Sequence, residues 1–175
     1  ISNSIFKNNS ASSIPDARST VRGGAISNSE SLSISNSVFQ NNSAYPTRTE
    51  LSEGGAIYNS GNLESIQTEF LSSFAGLGGA IYSEGKSDLF SLCSFRHCLF
   101  QGNISQSWGG AVYTRESTFI AANSLFLGND STRAGAVFAS LQYGAGFDLI
   151  NCSLSGNQTN DVGSALGLYS GPVNA

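Results

Sequence analysis

Carboxylates, one histidine, three cysteines and repeated glycine pairs are the residues of this chain whose chemistry could be catalytic or metal-binding. Paired carboxylates would suit glycoside hydrolysis, in which one acid protonates the leaving oxygen and the other serves as base or nucleophile. The twelve acids stand mostly at loop positions, and only Glu69, beside Phe70, falls within a repeated strand segment. His97 is the sole histidine, and it forms no metal-ligand spacing with Cys93, Cys98 or Cys152. The glycine pairs could cradle a phosphate, but such a loop runs into a helix bearing a Lys-Ser or Lys-Thr pair, and none follows here. No catalytic residue, no metal and no cofactor is therefore expected, and a carbohydrate-active β-helix enzyme is kept only as an alternative.

Two other sets of residues invite a surface role. Asn8, Asn41, Asn103, Asn129 and Asn157 each begin or lie in an Asn-x-Ser/Thr acceptor triplet. They form either a row of glycans along one edge or a row of unmodified polar turn residues. Asn151 also fits the triplet but belongs to a different bend. Tyr58, Tyr82, Tyr113 and Phe138 recur at one position and form an outward aromatic stripe. That stripe could hold a sugar chain or a protein partner, or it could be cross-strand packing. Trp108 extends it.

Composition limits the partners. Charged residues are 11% of the chain, against about 25% in ordinary domains, and glycine numbers 20. A net charge of -4 with no basic cluster argues against nucleic acid. No apolar run approaches the roughly 18 residues that span a bilayer, and the opening ISNSIFKNNS has no signal-peptide pattern.

The elements that must position these residues are given by two interleaved repeats. One is Gly-Gly-Ala-Ile/Val, whose second glycine falls at Gly24, Gly55, Gly79 and Gly110, with weaker copies at Gly135, after Ala134, and at Gly163, after Val162. The other is Phe-x-x-Asn, starting at Phe6, Phe39, Phe100 and Phe126, with Ser73 in place of Asn after Phe70 and Leu154 in place of Phe in the last copy. Both recur at intervals of 24 to 33 residues, the signature of a solenoid.

Side-chain parity sets the type of coil. Leu32, Leu63, Cys93, Phe119 and Phe147 stand seven residues before the Phe column, so both columns point inward only if the chain bends between them. Asn3, Asn36, Gln67, His97, Asn123 and Asn151 occupy that bend, where Asn tolerates the left-handed conformation and stacked amides can bond as a ladder. A second bend follows Phe, and the glycine segment opens another strand with Ile26, Ile57, Ile81, Val112, Val137 and Ala165 inward. The reading is an all-β fold, a right-handed parallel β-helix (solenoid) of about six coils with three short strands per coil. Residues 1–175 form a single repeat region, expected to be a fragment of a longer solenoid whose uncapped ends stack on neighbouring coils or subunits. Loops carrying Pro15 and Pro46 interrupt the first two coils. The cysteines read as small buried residues; Cys98 and Cys152 are two coils apart, beyond disulfide reach.

Gly-Gly-Ala-Ile/Val at Gly23–Ile26, Gly54–Ile57, Gly78–Ile81 and Gly109–Val112, alternating with Phe6/Asn9, Phe39/Asn42, Phe100/Asn103 and Phe126/Asn129, resembles the repeat of the chlamydial polymorphic outer membrane proteins. The resemblance implies the β-helical passenger of an autotransporter, exposed at a surface and acting as an adhesin. The expected function is a non-enzymatic extracellular or cell-surface scaffold for adhesion or assembly, with a structural subunit of an N-glycosylated extracellular fibre as alternative. Its partners would be further coils or subunits stacked end to end, and a host-surface protein or glycan.

Overall fold

The computed structural model describes residues 1–13, 20–45, 51–85, 91–142, 144–161 and 163–170. Pro15, Pro46 and the closing GPVNA lie outside them. The described residues form short strands joined by bends, with no helix. Ser, Asn, Gly and β-branched or aromatic residues fill every window, which disfavours helix throughout.

The strands stack into four parallel sheets. Sheet I comprises Ser31–Ser35, Asn62–Ile66, Ser91–Arg96, Ser117–Ala122 and Phe147–Ile150. Sheet II carries the Phe column on Ile5–Lys7, Val38–Gln40, Glu69–Leu71, Leu99–Gln101, Leu125–Leu127 and Ser153–Ser155. Sheet III runs through Ser10–Ser12, Ser43–Tyr45, Phe74–Leu77, Ile104–Trp108, Asp130–Ser131 and Gln158–Thr159, with Val21–Arg22 and Ser52–Glu53 paired onto it. Sheet IV follows the glycines at Ile26–Asn28, Ile57–Asn59, Ile81–Glu84, Val112–Arg115, Val137–Ser140 and Leu166–Tyr169.

The chain is thus a parallel β-solenoid that passes six times through sheets II and IV and five times through sheet I. Each coil has four strands where the sequence reading has three. The extra one is sheet III, whose inward column is Ala44, Ala75, Ser105 and Ser131. Such small side chains on two- to five-residue strands leave no hydrophobic period to read.

The main core is an apolar stack, with a smaller cluster of Val21, Ala44 and Ala75 beside it. Phe39, Phe70, Phe100 and Phe126 are fully buried. From Phe6 onward their rings lie face to face at centroid distances of 4.6, 5.2, 4.8 and 4.7 Å. The columns Leu63–Cys93–Phe119–Phe147 and Ser65–Phe95–Ala121–Leu149 meet in register on sheet I. Burial of each ring contributes about 2–3 kcal/mol, and offset stacking adds about 1 kcal/mol more.

The glycine pair divides two tasks. Gly78 has φ +60°, turning the chain into sheet IV. A Cβ on Gly79 would lie 2.1 Å from the Gly110 carbonyl oxygen of the next coil, so only a glycine lets the backbones approach. In the last coil the alignment moves by one residue. Gly163, placed by sequence at the second glycine, has φ +46° and takes the position of the first, with Ser164 in that of the second. Leu166 therefore pairs with Val137, and it, rather than Ala165, fills the inward column.

Candidate functional site

The six bend residues Asn3, Asn36, Gln67, His97, Asn123 and Asn151 have φ between 47° and 54°. Their side chains are exposed, and one amide bond joins them among the described residues, from Asn151 Nδ2 to Asn123 Oδ1 at 2.6 Å. The next column points inward and caps the bend from within. Ser37, Thr68 and Ser124 donate to the carbonyl two residues earlier at 2.8, 3.0 and 2.9 Å. Cys98 and Cys152 sit in the same column, each Sγ 3.4 Å from the equivalent oxygen. The three thiols are free. Burial pushes the Cys93 thiol up to about 12 and raises that of Cys98, which makes both poor nucleophiles.

The extended amide ladder is at the other bend, in the asparagine of Phe-x-x-Asn. Asn42, Asn103 and Asn129 are fully buried. Asn103 Nδ2 donates backwards to the Phe70 carbonyl at 2.9 Å and forwards to Asn129 Oδ1 at 3.0 Å, while its Oδ1 accepts the Ser73 N–H at 3.0 Å. Asn129 repeats this with Phe100, Asn157 and the Asn103 N–H. Asn9 opens the series on Asn42 at 2.9 Å. Each such amide joins three coils and satisfies backbone groups that water cannot reach.

This changes the reading of the acceptor triplets. Asn103, Asn129 and Asn157 do not line an outer edge: they are ladder residues, and their amide nitrogens, the atoms a glycan would be built on, are committed inside the stack. Asn8 and Asn41 stand one residue earlier in the coil, exposed, with φ +57° and +54°. Parity could separate the two sets once the inward step after Phe is known.

The aromatic stripe also sits differently from expectation. Tyr58, Tyr82 and Phe138 leave sheet IV on its outer face, yet they are only 5%, 1% and 5% exposed; Tyr113 is half-buried. Part of their cover comes from residues that precede the glycine pairs, at the end of sheet III. The Arg22 guanidinium lies 4.5 Å over the Tyr58 ring and its Nε bonds Glu53 at 2.9 Å. Trp108 meets Phe138 edge to face at 4.3 Å, and Arg133 lies 4.5 Å over Trp108. Arg133 also pairs with Asp161 at 2.9 Å. Beneath this cover Tyr58 stacks on Tyr82 at 5.8 Å, and Tyr82 meets Tyr113 at 5.2 Å. The stripe is the floor of a closed seam.

The seam holds two acids that lie in strands although the sequence reading assigned them to loops. Glu53 is 6% exposed, and burial holds its carboxyl above the usual range despite Arg22. Glu84 accepts hydrogen bonds from the Tyr58 and Tyr82 hydroxyls, the latter at 3.2 Å. Burial pushes the Tyr58 phenol up to about 12, with the Glu84 bond and charge adding to it, and burial likewise raises Tyr82 and Tyr113. Both carboxylates are engaged by side chains of the seam. Glu69 is alone and exposed on the outer face of sheet II. No group of three or more His, Cys, Asp or Glu with metal-binding geometry occurs among the described residues. The sequence signal for the cover is position alone, since Arg22, Glu53, Leu77, Trp108 and Arg133 share no chemical type.

Three stretches, residues 3–29, 36–60 and 97–115, match the family model of the Chlamydia polymorphic membrane protein repeat. These matches bear out the resemblance read from the two motifs. No curated protein and no solved structure matches the chain.

Proposed function

We infer that this chain, carrying the Chlamydia polymorphic membrane protein repeat in three places, is a passenger-type segment of a surface-associated protein. It acts as a non-enzymatic scaffold, outside the cell or at its surface, for adhesion or surface assembly. One observation carries the reading: the residues that match the repeat are consumed by contacts between coils. The Phe rings stack, the asparagines bond along the axis and the glycines admit the neighbouring backbone. The repeat therefore specifies a rod, and its outer faces are free to vary with the partner. The acids of the seam support a non-enzymatic role, because Arg22 and the phenols of Tyr58 and Tyr82 occupy them.

The test is protease shaving of intact cells that express the parent protein, read with an antibody against this chain. Surface display predicts loss of cell-associated signal and release of a protease-resistant solenoid fragment. Signal that survives shaving on intact cells and disappears only after lysis would overturn the reading. Glycans at Asn8 and Asn41 are part of the proposal where the host glycosylates, and a mass shift on those two residues alone is the expected pattern.

A further inference from the structure

The outer face of sheet I carries a groove of about 400 Å³ across four coils. That is within the roughly 300–1,000 Å³ of small-ligand sites. Its floor is Ser94, only 5% exposed although its parity points it out of the solenoid. Leu92 and Ile120 rise beside it, and Ser33, Asn62, Glu64 and Arg96 are among the other lining residues. Glu64 and Arg96 are exposed, and neither forms a salt bridge within the described residues.

We propose that this groove binds an uncharged glycan chain lying along the solenoid axis. On three neighbouring strands Ser33, Glu64 and Ser94 stand in register at intervals of about 4.8 Å, and a pyranose in an extended chain advances by a similar length, so these three coils face successive sugars. A carboxylate accepts, a guanidinium donates through a planar fork, and a serine hydroxyl does both; neighbouring sugar hydroxyls match all three. One acid and one base cancel, leaving no field for a charged polymer, and the net charge of -4 repels a polyanion. Leu92 and Ile120 offer an apolar wall to the C–H face of a ring. A peptide strand would need a free sheet edge for its backbone, whereas Ser94 lies in a strand paired on both sides.

This assignment deepens the adhesion reading and takes only its biological setting from it; binding in solution stands or falls separately from surface display. The experiment is a ¹⁵N NMR titration of the whole chain with linear cello-, xylo- and chito-oligosaccharide hexamers. The expected result is saturable shifts with at least one of them, centred on Ser33, Glu64, Ser94 and Arg96. Arg96→Ala and the floor-filling Ser94→Phe each weaken binding by roughly tenfold or more, while Leu125→Ser on the outer face of sheet II binds as the parent chain does. Thermal melts verify the fold of each variant, and Arg96→Ala, at an exposed side chain, carries the test should Ser94→Phe unfold. No saturable shift with any hexamer at about 10 mM, or binding that survives Arg96→Ala, overturns the proposal. So does a response at these residues to mixed-charge peptides and to none of the sugars.

Discussion

At the corner between sheets II and III one residue type recurs coil after coil, as Asn9, Asn42, Asn103, Asn129 and Asn157, broken only by Ser73. Over sheet IV the equivalent column of the seam runs Arg22, Glu53, Leu77, Trp108, Arg133. Both columns cover something that must be shielded, yet one keeps its identity and the other changes at every step. The difference follows from what each must do. An amide in the ladder has to complement the same amide above and below it, donor to acceptor, so only asparagine continues the series. A side chain in the seam has only to lie across a ring, and a guanidinium or an indole does that equally well. Identity is imposed by self-complementarity, and burial alone does not impose it.

The steepest break in the inner order is Gly79→Ala, which puts a methyl where the Gly110 oxygen is 2.1 Å and the Ile104 oxygen 2.6 Å away. We expect a loss above about 4 kcal/mol, or no folded protein. Gly128→Ala, with nothing within 4 Å of its Cβ, should cost about 1–2 kcal/mol from its left-handed φ alone. Paired denaturant titrations separate the two. Next comes Asn103→Ala, which strands the Ser73 N–H and the Phe70 carbonyl in a dry interior and should cost about 2–3 kcal/mol. Asn41→Ala, one position before the ladder and exposed, should cost about 1 kcal/mol or less. Hydrogen exchange at Ser73 should rise in the first variant and stay unchanged in the second.

The seam answers to pH. Burial raises the Glu53 carboxyl above its ordinary value of 4.5, so folding favours its protonated form. The stabilisation that follows is fully present below that ordinary value and is lost as pH rises through the raised one. Melting temperatures of the parent chain should therefore fall relative to Glu53→Gln as pH is taken from below 4.5 upward through that window, and a constant difference would refute the linkage. The smallest effect is expected from Arg133→Ala. Its pair with Asp161 is about half exposed on both sides, so the loss is about 1 kcal/mol or less and shrinks with added salt.

The period of the solenoid, the Phe stack and the left-handed bends were legible because each repeats a residue type that the backbone or the core demands. Sheet III was not, since alanine and serine on its inner side give no contrast with its outer side. The ladder was placed at Asn36 and its counterparts instead of Asn42 because both columns contain asparagine, and only the inward step after Phe39 tells them apart. The stripe at Tyr58 and Tyr82 was read as outward, which is correct for sheet IV, but what covers it varies in chemistry from coil to coil. The last coil slipped by one residue once its glycine pair was reduced to Gly163 and Ser164.

The asparagine ladder also has a direction. The Oδ1 atoms of Asn42, Asn103, Asn129 and Asn157 accept from the preceding coil, and every Nδ2 that reaches another asparagine reaches the following one. The amide dipoles therefore add along the axis and make the rod a vector, with a donor pole and an acceptor pole that are not interchangeable. Continued into further coils, the ladder itself would keep one sense, because two like poles would set donor against donor or acceptor against acceptor.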